Sequence, residues 1–297
     1  MKKENPIEEQ SNKKNNKSAV FKRIALCICI ITFLLMVFLI ISRIVQTNRH
    51  KEMMEELRQQ VQTYTLEEKE SVAEEGAEIL PTTLPTIVPS PIVLTKNPYS
   101  SIFNENKDVV AWIIIPDTKI DLPIVQTKSD ENYYLQRDIN GKYNINGTLI
   151  MDTDSDVNKP STNLIIHGHN MKSGEMFGDL DLYKDEIYAK EHEKIFVYFL
   201  DCKKEYQVIA VFYSQVFKKS DQVFKFYNFF QAENEEEFMD YYDNIKAKSI
   251  FDTGVEAEYG DELLTLSTCS YQVENGRFVV VAKKISKEEL VLELEEQ

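Results

Sequence analysis

ELLTLSTCSYQVENGRFVVVAKKI, residues 262–285, decides the fold. It holds two runs rich in β-branched and aromatic side chains, Glu262 to Cys269 and Arg277 to Ile285. Between them lies Asn275-Gly276, a dipeptide that accepts the backbone of a tight turn. The arrangement predicts a hairpin that brings Cys269 and Arg277 to the same end of a sheet. Further runs of the same kind lie upstream: VVAWIII (109–115), GTLIMD (147–152), NLIIHG (163–168), KIFVYFL (194–200) and EYQVIAVFYSQVF (205–217). Each is short and bounded by turn residues, which predicts an antiparallel sheet or barrel.

One segment departs from this pattern. In AENEEEFMDYYDNIKAKS (232–249), Phe238, Tyr241, Tyr242 and Ile245 recur at helical spacing on an acidic background. That predicts a single amphipathic helix inserted into the β fold, its aromatic stripe packed into the core. The loop after it, SIFDTGVEAEYG (249–260), is a candidate wall for a peptide groove.

Toward the N-terminus the chain changes character. Ile24 to Ser42 is 19 consecutive uncharged residues, long enough as a helix to cross a bilayer. Seven Lys/Arg precede it in residues 1–23, whereas the downstream flank of Arg43, Arg49, Lys51 and Arg58 is sparser and mixed with acids. The positive-inside rule then gives a cytoplasmic basic tail (1–23), a signal-anchor at the cell membrane (24–42) and an extracellular remainder. The run lacks a small-x-small cleavage site and is longer than an ordinary signal-peptide core, which favours an uncleaved anchor. Residues 43–98 are read as a stalk, first polar and charged to about Ile79, then carrying Pro81, Pro85, Pro89, Pro91 and Pro98 as an extended spacer. A folded domain is expected over 99–297.

Formal net charge is −15, of which residues 1–43 contribute +5, so the remainder carries −20. A strongly acidic exterior excludes nucleic acid as a partner. Four cysteines are present: Cys27 and Cys29 in the apolar run, Cys202 in a hairpin-turn context, and Cys269. They are too few for a disulfide framework and have no metal-ligand spacing, so no metal and no cofactor is expected. Asp152, Asp154 and Asp156 in MDTDSDVNK imitate the opening of a calcium loop. Val157 stands where that loop needs glycine, however, and Asn163 where it needs glutamate, leaving a solvated turn.

Cys269 sits among Ser267, Thr268 and Ser270, polar neighbours that argue against a core thiol. An ordinary thiol is mostly protonated at neutral pH, so a nucleophilic cysteine needs a basic or cationic neighbour. Of the four histidines, His50 lies in the stalk and His192 in a charged loop. His167 and His169 lie in NLIIHGHNM, where a strand runs into a loop and a side chain can reach across the sheet rim. Either is a candidate acid/base.

Taken together, TLSTCSYQVENGR (265–277) and LIIHGHNMKSGEMFGDL (164–180) resemble the signature segments of sortases: a TLxTC strand, a downstream Arg and an upstream GH motif. The resemblance covers roughly Tyr99 to the C-terminus. The N-terminal helix region, the NMKSGEMFGDL continuation and the helix before the Cys strand are similar to class B in particular. The resemblance implies a closed eight-stranded β-barrel with a few peripheral helices, behind an N-terminal transmembrane helix. It implies a transpeptidase that cleaves the C-terminal sorting signal of surface proteins after Thr and passes the thioacyl intermediate to an amine of a peptidoglycan precursor or a pilin. By motif position Cys269 is then the nucleophile, His169 the acid/base, Arg277 the oxyanion partner and Ser267 a substrate contact. His167 departs from the pattern, since class B relatives often carry an aromatic there. The Cys-to-Arg spacing of eight resembles clostridial-type members and suggests a (S/P)PxTG-like motif. Two alternatives stand beside this reading. A purely hydrolytic cysteine peptidase would leave Arg277 without a task, and an anchored wall-binding β-domain would make Cys269 structural.

Overall fold

The computed structural model describes residues 6–75, 97–157, 159 and 161–286. Pro81, Pro85, Pro89 and Pro91 of the expected spacer lie outside the described residues. The chain divides into two compact units, residues 1–52 and 53–297. The described part of the first unit is helical, within α1 (Pro6–Glu75). The stretch Phe21–Val61 is long and apolar enough to cross a membrane. Phe33, Leu34, Leu35 and Phe38 are all more than half exposed, as in a helix with no protein to pack against. Thr32 Oγ1 donates to the Cys29 carbonyl at 2.9 Å, so this hydroxyl is satisfied within the helix.

The second unit is built on eight strands: β1 (Val109–Ile114), β2 (Asp121–Val125), β3 (Leu149–Met151), β4 (Asn163–Gly168), β5 (Lys194–Tyr198), β6 (Lys203–Gln215), β7 (Leu263–Ser270) and β8 (Gly276–Lys284). They form the expected closed barrel in the order β1-β2-β3-β4-β7-β8-β6-β5, with β5 pairing back onto β1.

Two features differ from the sequence expectation. The first is β2, whose sequence DLPIV is absent from the runs expected as strands and contains a proline, which cannot donate to a ladder. It is tolerated because β3 pairs only with Ile124 and Val125, so Pro123 meets a ladder on one side alone, opposite Trp112. The second is that the barrel is not wholly antiparallel, since β2 runs parallel to β3 and β4 parallel to β7. Parallel neighbours require long crossovers. Residues 126–148 supply one, and everything between β4 and β7 supplies the other.

Among the described residues, three further α-helices decorate the barrel, α2 (Ser100–Glu105), α3 (Glu186–Glu191) and α4 (Glu235–Lys248), with two short 3-10 turns at Asp179–Lys184 and Phe226–Asn228. Helix α4 is the amphipathic helix expected from the sequence. The Asn234 side chain caps it by accepting from the Glu237 amide at 3.0 Å, and three glutamates face its positive end. Phe238, Tyr241, Tyr242 and Ile245 are buried, and Tyr241 stacks on Phe229 with ring centres 4.1 Å apart.

Side chains alternate along a strand, and burial sorts them into two cores. Leu264, Leu266, Phe278, Val280 and Ala282 belong to the main core of the barrel. Leu263, Val279 and Val281 belong instead to an outer core with Phe238, Tyr241 and Ile245 of α4. Ser267, Cys269 and Arg277 share this outward parity.

Met53 to Val61, read from sequence as stalk, packs within this unit. Met54 is buried in the main core with Met53, Leu57 and Val61 against it. Arg58 Nε donates to Asp121 Oδ2 at 2.8 Å while Trp112 Nε1 donates to Asp121 Oδ1 at 2.7 Å. One carboxylate of β2 thus joins α1 to β1. Packed structure begins upstream of Tyr99 because α1 has an apolar stripe here that the barrel buries.

Candidate active site

Strands β4 and β7 run parallel in register from Asn163 opposite Leu263 to Gly168 opposite Thr268. One residue further along, His169 stands level with Cys269. Side chains extend the ladder at this point. Thr268 Oγ1 donates to the Gly168 carbonyl at 2.8 Å, and Asn170 Nδ2 donates to the Cys269 carbonyl at 2.9 Å. On the other edge of β7, antiparallel β8 sets Arg277 directly opposite Cys269. Asn275 takes φ 55° in the connecting turn, the left-handed backbone that asparagine accepts more readily than most residues. Three neighbouring strand ends therefore carry His169, Cys269 and Arg277 in one row.

A cleft of about 290 Å³ lies over this row and is lined by all three residues. Its floor is the outward face of four adjacent strands, with Ile150 from β3, His167 from β4 and Ser267 from β7 completing it. Glu131, Asn132, Leu135 and Thr148, from the β2–β3 crossover, line it as well. The loop 249–260, a candidate wall on sequence, does not line it. Its Val255 and Ala257 pack into the outer core beneath α4 instead.

Cys269 is a free thiol, half-buried. His169 Nε2 bonds the Leu135 carbonyl at 2.7 Å. A carbonyl only accepts, so Nε2 carries the proton and Nδ1 is the acceptor of the neutral ring. Gly147 secures that carbonyl: its φ is +62°, and a Cβ there would stand 2.4 Å from the Leu135 oxygen. Only glycine lets the turn pass so close. Arg277 Nη1 donates to the carbonyls of Asn275 at 3.3 Å and Gly276 at 3.0 Å, which ties the planar guanidinium to its own turn.

The two histidines of the HGHN segment are held differently. His167 Nε2 bonds Asp152 Oδ2 at 3.0 Å, two residues back from the row. Asp152, read from sequence as part of a solvated turn, thus also orients a histidine of the cleft. Ser267 is buried, and its hydroxyl has no hydrogen-bond partner among the described residues. Cys202 lies in the β5–β6 turn, exposed and free, as expected. Among the described residues, no group of three or more His, Cys, Asp or Glu is placed to hold a metal.

Sequence reading assigned no task to Leu135, Gly147 or Asn170. Asn146-Gly147 is itself a turn signal and offered a hint, but nothing local to Leu135 marks its carbonyl as a histidine partner.

The family model described as the Sortase domain matches residues 113–285. Sortase B of Listeria monocytogenes is 33% identical over 188 residues, covering 61% of this chain and 72% of that protein. Among solved structures, sortase B of Clostridium perfringens superposes with TM-score 0.56 at 29% identity, over 63% of this chain and 98% of its own. A sortase B–substrate complex of Staphylococcus aureus, at 24% identity, shares the fold with TM-score 0.63 over 82% of this chain and 99% of its own.

Proposed function

The chain belongs to the sortase family as a class B member and is therefore a cysteine transpeptidase, and from that premise we propose that Cys269 is its nucleophile, His169 its acid/base and Arg277 its oxyanion partner. The observation that carries this assignment is the single row of His169, Cys269 and Arg277 on three neighbouring strand ends, open to one cleft.

In this reading the Cys269 thiolate attacks the carbonyl carbon of the sorting-signal threonine. Negative charge develops on the carbonyl oxygen, where the Arg277 fork donates to it. Collapse breaks the C–N bond, and His169, which holds the proton of the Cys269 thiol on Nδ1 as an imidazolium while Nε2 stays on the Leu135 carbonyl, gives that Nδ1 proton to the leaving amine. The threonine carbonyl is then held as a thioester on Sγ. An acceptor amine attacks it, His169 takes the amine proton, and the S–C bond breaks to release an amide and the thiolate. No oxidant or cofactor is needed, because the bond formed replaces the bond broken. Ser267, two residues before the nucleophile on the same strand face, contacts the bound peptide.

The basic tail 1–23 lies in the cytoplasm, 24–42 spans the membrane, 43–98 leads to the catalytic domain 99–297 with Met53 to Val61 packed on its barrel, and that domain works outside the cell. Its donors are surface proteins with a C-terminal sorting motif, of (S/P)PxTG-like form, and its acceptors are amines of peptidoglycan precursors or pilins.

The test uses the full chain in detergent with LPxTG-, NPxTN- and (S/P)PxTG-like peptides, with and without an added oligoglycine amine. Cleavage is expected, with amide product appearing only when the amine is present. Cys269→Ala should abolish both while the melting curve stays close to that of the parent. Cleavage at the parental rate in that variant would remove Cys269 from the mechanism.

A further inference from the structure

Beside the catalytic row, a second set of polar groups opens to the same cleft. We propose that His167, fixed by Asp152 and paired with Ser267, forms a subsite for one uncharged, hydrogen-bond-donating side chain of the sorting signal, such as serine or asparagine. This rests on the transpeptidase reading above.

Placement comes from the strand register. His167 stands opposite Ser267 across the parallel β4–β7 ladder and opposite Ile150 across β3–β4. Ser267 precedes Cys269 by two residues, roughly 7 Å along the strand. A peptide whose threonine carbonyl lies at Cys269 therefore has a residue flanking the cleaved bond within reach of this pair.

Chemistry comes from the hydrogen bonds. Asp152 is held by its own amide on the Ile165 carbonyl at 2.9 Å, by Gln126 Nε2 on its carbonyl at 2.7 Å and by the Asp154 amide on Oδ1 at 3.1 Å. Its remaining oxygen, Oδ2, meets His167 Nε2. A carboxylate accepts and does not donate, so Nε2 carries the proton and Nδ1 of the neutral ring is an acceptor. The Ser267 hydroxyl, 1% exposed and without a partner among the described residues, is a second group suited to meet a ligand. A hydroxyl or carboxamide that enters here pairs with both, whereas an aliphatic side chain leaves them unpaired and buried. An acidic side chain meets the carboxylates of Asp152 and Glu131, both of which line the cleft. Leu135 and Ile150 supply apolar surface for the stem of the incoming side chain. A phenylalanine ring at position 167 offers no such acceptor, so the preference rests on the histidine.

The test measures kcat/KM of the full chain in detergent on peptides with Ser, Asn, Val or Asp at each of the three positions before the threonine and the one after it. At one position the parent should favour Ser and Asn over Val by at least about tenfold, with Asp lower still. His167→Phe should bring the Ser/Val ratio at that position to within about threefold of unity, and His167→Gln, which keeps a hydrogen-bonding group, should retain part of the preference. A ratio of two peptides on one enzyme cancels any effect of the substitution on folding or on the thiol. The absence of a polar preference at every position, or a preference that survives His167→Phe unchanged, overturns the subsite while leaving the transpeptidase intact. Failure of the parent to cleave any peptide overturns the transpeptidase reading and the subsite with it.

Discussion

Arg277 stands opposite Cys269 because the hairpin register puts it there, and its guanidinium is pinned to its own turn through Nη1. Lysine at this position keeps the charge but loses the planar fork. Arg277→Lys should therefore lower kcat by roughly 10²-fold with a smaller change in KM, the pattern of a donor used only in the transition state; a kcat within about threefold of the parent would show that charge alone suffices. Gly147 acts at one remove from the chemistry. Gly147→Ala strains a backbone at φ +62° and drives a methyl group against the carbonyl that holds His169. Its kcat should fall by at least about tenfold, along with a lower melting temperature, whereas equal kcat would mean that the Leu135 carbonyl does not orient the ring. Of the proposed site, the pairing of Cys269 with Arg277 was legible in the sequence because a hairpin is local, whereas the residues alone left His167 and His169 as equal candidates and only the resemblance favoured His169. Leu135 and Asn170 were not legible, since the first meets its partner 34 residues away and the second 99.

At the scale of elements, the amphipathic period of α4 was plain, and the helix lies where that period put it. Strand β2 was hidden because Pro123 argues against a strand by local rules, and only its lopsided pairing removes the objection. The packing of residues 53–61 of α1 was hidden for another reason: Met54, Leu57 and Arg58 sit in a sequence that reads as a solvated helix until the barrel surface that covers them is known. Burial of Met54 contributes about 2 kcal/mol and the half-exposed Arg58–Asp121 pair up to about 1 kcal/mol. A protein beginning at Tyr99 should thus melt on the order of 5–10 °C below one beginning at Met53. Both should cleave peptide, because the residues lining the cleft all lie at or beyond Glu131. Equal melting temperatures by circular dichroism would show that residues 53–61 add nothing to the barrel.

At the scale of the whole molecule, closure ties distant strands together, and Glu262 marks one such join. It bonds Lys204 of β6 and Lys284 of β8. Burial pushes its carboxyl pKa up, but the two lysines outweigh that and leave it below the ordinary glutamate value. A carboxyl that titrates lower in the folded state stabilises the fold fully above the unfolded pKa of about 4.3, and this contribution is lost as pH falls through the folded value. The melting-temperature gap between the parent and Glu262→Gln should be full at pH 6–7 and shrink below about pH 4, and a gap that grows in acid would contradict the assignment. The sequence by itself determined the β hairpin with its cysteine and arginine, the amphipathic helix and the apolar run, because each is written in a period, a turn dipeptide or a length that a short window contains. The tertiary structure alone decided that β4 lies parallel to β7, so that His169 comes level with Cys269, and that the β2–β3 crossover lines the cleft. Strand edges offer the same donors and acceptors to any neighbour, so the choice of partner rests on which faces the closed barrel buries, and no single segment carries that information.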